Sequence, residues 1–376
     1  MKAISIVPRT NHLELLEIEA PQIKKQASDI DKVLIKVEEI GVSTIDKRIA
    51  SGEPCEPPPG SSHIILGHEM KGRVVDIGAE AEGFNIGDLV VPTVRRGCGL
   101  CTQCVRGNSD LCLSGLYCDR GIRRLDGYMT EYVVERVGYI ISIPNDLESV
   151  AVLLAPLSIA EKAVAAAVSI GHRMDGPYPF PEHAYHYQDW GIGKTGFVIG
   201  GTATAVMTAF LLRLNLLNTY LVADKPKDSI LASVIEEIGA FYLESGSGSI
   251  DNLLKELGRV DLVIEATGEA KFDFRLAELI GNSGVLAVTT TPATGSKVLI
   301  DGNDFLRERV LRSQVIFGAV GANRRHFDQG VKDLQQFKNK FGTALEKVIT
   351  HRYPFLKFGA AFYEKDKELI KAVLEV

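Results

Sequence analysis

The feature that most constrains this chain is a run of four cysteines, Cys98, Cys101, Cys104 and Cys112, spaced by two, two and seven residues. Thiolates at such spacing can reach one tetrahedral ion, and four of them leave no open coordination position, so the pattern predicts a structural zinc. Two alternatives stay open: four unrelated cysteines, and an iron–sulfur cluster. The spacing disfavours the first, and the long last gap without a terminal proline disfavours the second.

The periodicity of apolar residues divides the chain in two. Short alternating strands with Gly and Pro between them predict a compact β-barrel over residues 1–95. A helix is predicted from Pro156, and then four strands alternate with four helices, which predicts a doubly wound parallel sheet. We therefore expect an α/β protein with one domain at 1–190 and 309–376 and a nucleotide-binding domain at 191–308. The predicted strands are 196–199, 219–223, 260–266 and 284–289; the predicted helices are 203–213, 229–239, 250–257 and 272–279.

Composition narrows the partners and the compartment. A formal net charge of −6 over 376 residues argues against a nucleic-acid or anionic membrane surface. Five of the six cysteines lie within 21 residues of one another, which favours metal ligands in a reducing compartment over disulfides. With no signal-peptide pattern and no apolar run of roughly 20 residues, we expect a cytoplasmic protein that does not cross a membrane.

The order of these parts resembles the medium-chain zinc-containing alcohol dehydrogenase superfamily along essentially the whole chain. Gly67-His68-Glu69 precedes the cysteine lobe, and a Rossmann segment follows it. Several stretches are similar to the archaeal glucose 1-dehydrogenase branch: Val91–Cys98, Gly121-Ile122, Asp126–Met129, Pro156–Ser158, Glu161-Lys162 and Ile349–Pro354. The resemblance implies a GroES-like β-barrel catalytic domain with a structural zinc lobe, a Rossmann domain, and a dimer or tetramer.

The resemblance also implies a second, catalytic zinc, and here the sequence departs from the family. Ser43 stands where the family has a cysteine ligand, and Ala155 stands where it has a carboxylate or amide. His68 and Glu69 remain, and two protein ligands plus water would hold zinc weakly. Asp46 as a substitute third ligand is one hypothesis; a buried His68–Glu69 pair without metal is the other. The family's relay threonine is replaced by Ile45, with Thr44 beside it, and Asp119 takes the position of a sugar-hydroxyl contact.

The nucleotide fingerprint is partial. Gly200 suits the tight turn after a strand, Thr202 replaces the glycine that lets the pyrophosphate approach, and Ala205 is an accepted third position. Asp224 favours the ribose 2′-hydroxyl of NAD, whereas Lys225 is compatible with NADP. The residues expected to bind NAD or NADP are Gly200, Gly201, Thr202, Ala203, Asp224, Lys225, Thr267 and Thr289.

Two functions stay open at this point. One is NAD(P)-dependent oxidation of a glucose-like aldose at C1 to the lactone, with Ser43, Thr44, Asp46, His68 and Glu69 as catalytic candidates and Glu69 and Asp119 contacting the sugar. The other is a divergent paralogue that keeps the fold and structural zinc but lacks the catalytic zinc, and binds nucleotide or acts as a metal-independent reductase. A loop rich in proline and aromatic residues at 172–193, with His183, His186 and Trp190, is interpreted as a lid or linker without chemistry.

Overall fold

The computed structural model describes residues 1–24, 29–175, 190–245, 255, 258–267, 274–291 and 299–376, with backbone alone for 172–175. Within these ranges the chain forms two compact units. The first comprises Met1–Ser158, Gly321–Gln335 and Ile349–Val376, and the second Ile159–Val320 and Gln336–Val348. This division gives residues 159–190 to the second unit, and the boundaries at 190 and 309 stay a prediction. The predicted helix at 250–257 and the loop holding His183 and His186 lie almost entirely outside the described residues.

The first unit is built on a seven-stranded sheet whose order is β11-β6-β5-β3-β19-β18, with β10 also paired to β3. Its strands β18 and β19 are the C-terminal segments Ile349–Pro354 and Lys371–Glu375. Its central strand β3 alternates buried and less buried side chains, as expected for a strand with one face on a core. A second sheet, β2-β1-β4, closes over the same apolar core, which confirms the predicted barrel-like domain. The elements are β1 Lys2–Ile6, β2 Leu13–Glu17, β3 Lys32–Val42, α1 Thr44–Ala50, β4 Ile64–Ile65, β5 Glu69–Ile77, β6 Leu89–Pro92, β7 Arg95–Arg96, α2 Thr102–Val105, β8 Cys118–Arg120, β9 Arg124–Leu125, β10 Tyr132–Arg136 and β11 Ile140–Ser142.

The second unit contains a six-stranded parallel sheet of order β14-β13-β12-β15-β16-β17, the doubly wound nucleotide-binding order. The four predicted strands are present. Short strands β14 and β17 extend the sheet at its two edges and were not predicted. The elements are β12 Thr195–Ile199, α4 Ala203–Leu214, β13 Asn218–Ala223, α5 Ile230–Glu237, β14 Phe241–Glu244, β15 Val260–Glu265, α6 Leu276–Leu279, β16 Ile280–Val288, α7 Gly302–Leu311 and β17 Val315–Gly318.

Two of the remaining helices have residues in both units, and the C-terminal elements belong to the first unit. α3, Leu154–Asp175, and α8, Arg324–Phe341, each have residues in both units. β18 Ile349–Pro354, α9 Phe358–Tyr363 and β19 Lys371–Glu375 complete the first unit. The C-terminal strand β19 pairs with β3 in the middle of the large sheet, so the last residues of the chain lie beside the first domain's central strand.

Among the described residues one helical stretch, Asn145–Gly171, is long and apolar enough to span a membrane. Glu161 and Lys162 interrupt its apolar residues, so it does not contradict the expectation that no uninterrupted apolar run approaches roughly 20 residues. In the folded protein 78% of its apolar window is buried. Burial within the protein accounts for its composition, because a core helix is apolar on most of its surface.

Candidate active site

The four predicted zinc ligands meet in a small lobe. The Sγ atoms of Cys98, Cys101, Cys104 and Cys112 all lie within 4.8 Å of one another. Two backbone amides point at sulfur: Cys101 N lies 3.4 Å from Cys98 Sγ, and Leu113 N lies 3.4 Å from Cys101 Sγ. Such N–H···S contacts stabilise thiolate. The arrangement fits one tetrahedral zinc with no open position.

The hydrogen bonds and the burial of the sulfur atoms favour binding of a metal ion. A hydrogen bond from the Ser114 hydroxyl lowers the pKa of Cys98 to about 7. The backbone amide of Cys104 is the main cause that lowers the pKa of Cys101 to about 7. Burial instead raises the pKa of Cys104 to about 12. A thiol with a raised pKa needs the metal itself to hold it as thiolate, so ion binding and proton release are coupled here.

Asp119, the expected sugar contact, is engaged by a neighbouring arginine. Its two carboxylate oxygens accept from Arg95 Nε at 2.8 Å and Arg95 Nη2 at 2.9 Å. Arg95 also stacks over Tyr117, 3.9 Å from the ring centroid. This bidentate pair fastens β7 to β8 within the zinc lobe. A role of Asp119 in binding a sugar stays a prediction.

Ser43 and Asp46 cap a helix. The Asp46 amide donates to Ser43 Oγ at 3.1 Å and the Ser43 amide donates to Asp46 Oδ2 at 2.9 Å, a reciprocal capping box at the start of α1. The other Asp46 oxygen accepts from the Gly67 amide at 3.2 Å. Both groups are therefore committed to backbone donors. Thr44 is the first residue of α1 and is partly exposed.

His68 stands against this fully buried carboxylate. Its Nδ1 lies 3.5 Å from Asp46 Oδ1, and its Nε2 lies 3.9 Å from Glu69 Oε1. Burial by itself favours the neutral form of both partners. The attraction between His68 and Asp46 outweighs it, so the pKa of His68 is raised and the pKa of Asp46 is lowered. The pair orients the imidazole with Nδ1 toward Asp46.

Glu69 is paired with a residue that sequence reasoning missed. Its Oε2 accepts from the Lys371 ammonium, which also donates to the Val42 carbonyl at 3.2 Å. Lys371 is 3% exposed and Glu69 is 5% exposed. The only signal in the sequence is a lysine that interrupts the apolar run Ile370–Leu374, because buried lysines are rare unless paired.

The residues around His68, which we call the His68 cluster, do not fit a second zinc ion. Ser43 and Asp46 are used in capping, Ala155 carries no donor atom, and Glu69 faces an ammonium. Over the described ranges, the cysteine lobe is the one group of three or more His, Cys, Asp or Glu ligand atoms close enough to share an ion. In this structure the Asp46 carboxylate accepts from the Ser43 and Gly67 amides, and its role as a third ligand stays a prediction.

The predicted nucleotide-binding residues come together at the carboxyl edge of the parallel sheet. Gly200–Ala203 follow β12, Asp224-Lys225 follow β13, Thr267 follows β15 and Thr289 follows β16. Gly200 has φ +131°, and a Cβ there would lie 2.7 Å from the Ala266 carbonyl oxygen. A glycine is therefore required at this turn, as in the family fingerprint. β12 and β15 are neighbours on either side of the point where the strand order reverses, which is where such sheets bind ligands.

Thr202 keeps a different role from the glycine it replaces. Its hydroxyl donates to the Ala266 carbonyl at 2.9 Å and accepts from the Ala205 amide at 3.3 Å, so it caps α4. The helix N-terminus still presents its first-turn amides and positive dipole end to an anion. Close to this helix N-terminus, Lys225 Cε lies 3.2 Å from the point where a Cβ on Gly201 would stand. The neighbouring Asp224 is exposed. One carboxylate and one ammonium thus flank the same loop.

A further buried carboxylate, Glu265, was not predicted. It ends β15 and is 3% exposed. Its Oε1 accepts from the Thr267 amide at 2.9 Å and from the Thr267 hydroxyl at 2.5 Å, while its carbonyl accepts from Thr289 Oγ1 at 2.7 Å. These bonds fix the two strand-end threonines relative to each other.

Comparison with known proteins agrees with this architecture. Residues 29–145 match the alcohol dehydrogenase GroES-like domain, and residues 148–376 match the glucose dehydrogenase C-terminus. The chain is 30% identical to glucose 1-dehydrogenase of Methanocella arvoryzae and 32% identical to glucose 1-dehydrogenase 2 of Vulcanisaeta moutnovskia. Both alignments cover 100% of this chain and 99% of the relative.

Solved structures give the same result. The glucose dehydrogenase of Haloferax mediterranei in complex with NADP, zinc and gluconolactone superposes with a TM-score of 0.84 at 26% identity, covering 100% of this chain and 99% of that one. Galactitol-1-phosphate dehydrogenase from Escherichia coli shares the fold, with a TM-score of 0.76 at 18% identity. The relationship favours an enzyme over the non-catalytic alternative. The chain belongs to the medium-chain zinc dehydrogenase superfamily, in the branch of the glucose 1-dehydrogenases.

Proposed function

We propose that this protein is an NAD(P)-dependent dehydrogenase that oxidises a glucose-like aldose at C1 to the lactone. The observation that carries the proposal is the similarity to glucose 1-dehydrogenases over the full length of the chain. In the reaction the C1–H bond breaks and its hydride passes to C4 of the oxidised nicotinamide. The proton of the C1 hydroxyl leaves to a base, and the C1–O bond becomes the lactone carbonyl.

The edge of the parallel sheet is the proposed cofactor site. The amides at the start of α4 receive the pyrophosphate, and Gly200 lets the backbone approach it. Asp224 accepts from the ribose 2′-hydroxyl of NAD, while Lys225 can neutralise the 2′-phosphate of NADP. Because one residue favours each dinucleotide, we expect both cofactors to be used.

The buried cluster around His68 is the proposed chemical site. His68 and Glu69 are the two groups there with basic atoms that no backbone donor engages among the described residues, and Asp46 fixes the orientation of the imidazole. A base near the C1 hydroxyl is needed because hydride loss and proton loss must together produce a neutral lactone. The zinc ion of the cysteine lobe, when bound, supplies structural cross-linking there and no Lewis acid.

The proposal is tested by following NAD(P)H formation with glucose, galactose and xylose against both dinucleotides. We expect glucose-dependent reduction of NAD+ and NADP+, with lactone as the product. His68→Asn should lower kcat/KM by about 100-fold, in the range typical of lost acid–base catalysis. His63→Asn, on the loop before β4, is the control that keeps activity. Absence of turnover with every aldose and both cofactors would contradict the proposal.

We also propose a homo-oligomer in the cytoplasm. β17 has a partner on one side only in the described sheet, and α7, which precedes it in the chain, exposes Leu306, Val310 and Leu311 by 62%, 77% and 69%. An open strand edge and exposed apolar side chains in the same unit suit a two-fold contact with a second copy of the chain. A cytoplasmic location suits the four zinc-lobe thiols, which must stay reduced to bind metal.

A further inference from the structure

The strand register brings a buried lysine into the proposed chemical site. Gly41 of β3 lies directly opposite Glu69 of β5 on one side and opposite Val373 of β19 on the other. Lys371 precedes Val373 by two residues, so its side chain leaves the same face of the sheet as that of Val373. Three neighbouring strands thus place Gly41, Glu69 and Lys371 together.

Gly41 makes room for this ion pair. A Cβ at position 41 would lie 2.4 Å from Glu69 Oε2, 2.8 Å from Lys371 Cε and 2.9 Å from Lys371 Nζ. The ammonium therefore fills the space that a side chain on β3 would otherwise occupy. With Lys371 at 3% exposure, its charge is held by the Glu69 carboxylate and the Val42 carbonyl.

The negative charge of Glu69 is already paired with a positive charge within the protein. Asp46 and Glu69 carry the negative charges, and Lys371 carries a positive one within hydrogen-bond distance of Glu69. A divalent cation on Glu69 would stand next to this ammonium in a region with little water. Such like-charge proximity is strongly unfavourable at low effective dielectric. The same cluster lacks the donor atoms of a third and fourth ligand, since Ser43 caps α1 and position 155 is alanine.

We propose that this site works without a catalytic zinc ion, and that the Lys371 ammonium supplies the positive charge that faces Glu69 in its place. The role of Lys371 in turnover rests on the proposed function, whereas the absence of a second zinc site does not. Lys371 is a positioning residue: it fixes Glu69 beside His68 and lowers the negative potential of the cluster.

Zinc content tests the metal part of the proposal without any substrate. The full chain is saturated with zinc, freed of unbound metal by gel filtration, and measured for zinc and protein. We expect one zinc ion per chain, released completely when a mercurial reagent modifies the thiols. Two ions per chain, or one ion that survives thiol modification, would overturn the proposal. This result stands even if no sugar is oxidised, a case in which the proposed function alone fails.

Variants at position 371 test the role of the ammonium. Lys371→Met should lower kcat by about 10-fold or more with little change in KM for the dinucleotide, because it leaves a buried carboxylate unpaired. Lys371→Arg should retain most of the activity that Lys371→Met loses. Lys365→Met, which removes an exposed lysine close to Lys371 in sequence, should leave kcat unchanged. Unchanged kcat in a folded Lys371→Met protein, or dependence of the wild type on zinc beyond one ion per chain, would overturn the proposal. If Lys371→Met does not fold, the zinc count and the Lys371→Arg kinetics still decide.

Discussion

Single residues decide the chemistry of the cluster around His68. The short stretch Ser43–Asp46, where the family resemblance implied a metal ligand, provides a helix cap, because a serine hydroxyl and an aspartate satisfy backbone amides at the start of α1. Ala155 removes another donor. The side chain that pairs with Glu69, Lys371, lies 302 positions away from it in sequence.

Gly41 should be intolerant of substitution. In Gly41→Ala the new methyl group displaces the Glu69–Lys371 pair, since it would stand 2.4 Å from Glu69 Oε2. We expect a loss of about 1–3 kcal/mol in the free energy of unfolding, as for overpacking of a buried site. Urea unfolding measures it. Gly138→Ala, where the added Cβ meets nothing within 4 Å, is the matched control, and equal stability of both variants would contradict the prediction.

Glu39 should make stability depend on pH. Burial raises the pKa of this carboxyl above 4.5, although Lys71 and Arg352 act to lower it. A raised pKa means that the folded state holds its proton longer, so this contribution to stability is present below pH 4.5 and is lost as pH rises through the folded pKa. Glu39→Gln removes this dependence. The free energy of unfolding of Glu39→Gln, measured relative to that of the wild type, should therefore increase between pH 4.5 and about pH 7. A difference that stays constant over this range would contradict the prediction.

At the scale of elements, the sequence patterns were informative where they reflected local physics. Three of the four central strands of the parallel sheet and α4 were predicted to within one residue at each end, because apolar runs and cap residues are local signals. The fourth strand, β16, begins four residues before its predicted start. The edge strands β14 and β17 were missed. They contain four residues each, and their strand character comes from pairing with β13 and β16.

The turn into α4 offers a test of the partial fingerprint. Thr202→Gly restores the glycine that admits the pyrophosphate, while it removes the cap on the Ala205 amide. We expect tighter binding of NAD+ by isothermal titration and a stability loss of only a few tenths of a kcal/mol, as for glycine at a cap. Thr202→Ser keeps the cap and should change neither quantity. Weaker NAD+ binding by Thr202→Gly would show that the hydroxyl contributes to the site.

At the scale of the whole molecule, the predicted sites are distributed over two compact units. The first holds the cysteine lobe and the residues around His68, and the second holds the doubly wound sheet with the residues predicted to bind the cofactor. Within the first unit, Asn323 Nδ2 donates to Asp110 Oδ1 at 2.9 Å, so a segment more than two hundred residues away fastens the zinc lobe. The separation of 213 positions makes this contact invisible to pattern analysis.

The proposed oligomer can be tested on α7. Val310→Glu places a charge on a side chain of α7 that is 77% exposed. We expect the molar mass in light scattering to fall to that of the monomer. In an apolar two-fold contact the introduced carboxylate would face the same carboxylate of the second copy, and the two like charges would repel each other. Ile86→Glu, at 69% exposure in the first unit, is the control. An unchanged mass for Val310→Glu would place the contact elsewhere.

The sequence by itself determined the features that depend on spacing along the chain: the cysteine lobe, the alternation of strands and helices, and the glycine turn before α4. Ligand spacing and hydrophobic period are local properties, so they can be read without the fold. Only the tertiary structure decided what surrounds His68 and Glu69. The ammonium of Lys371 reaches them through pairing of β3 with both β5 and β19, and pairing between distant strands leaves no local trace.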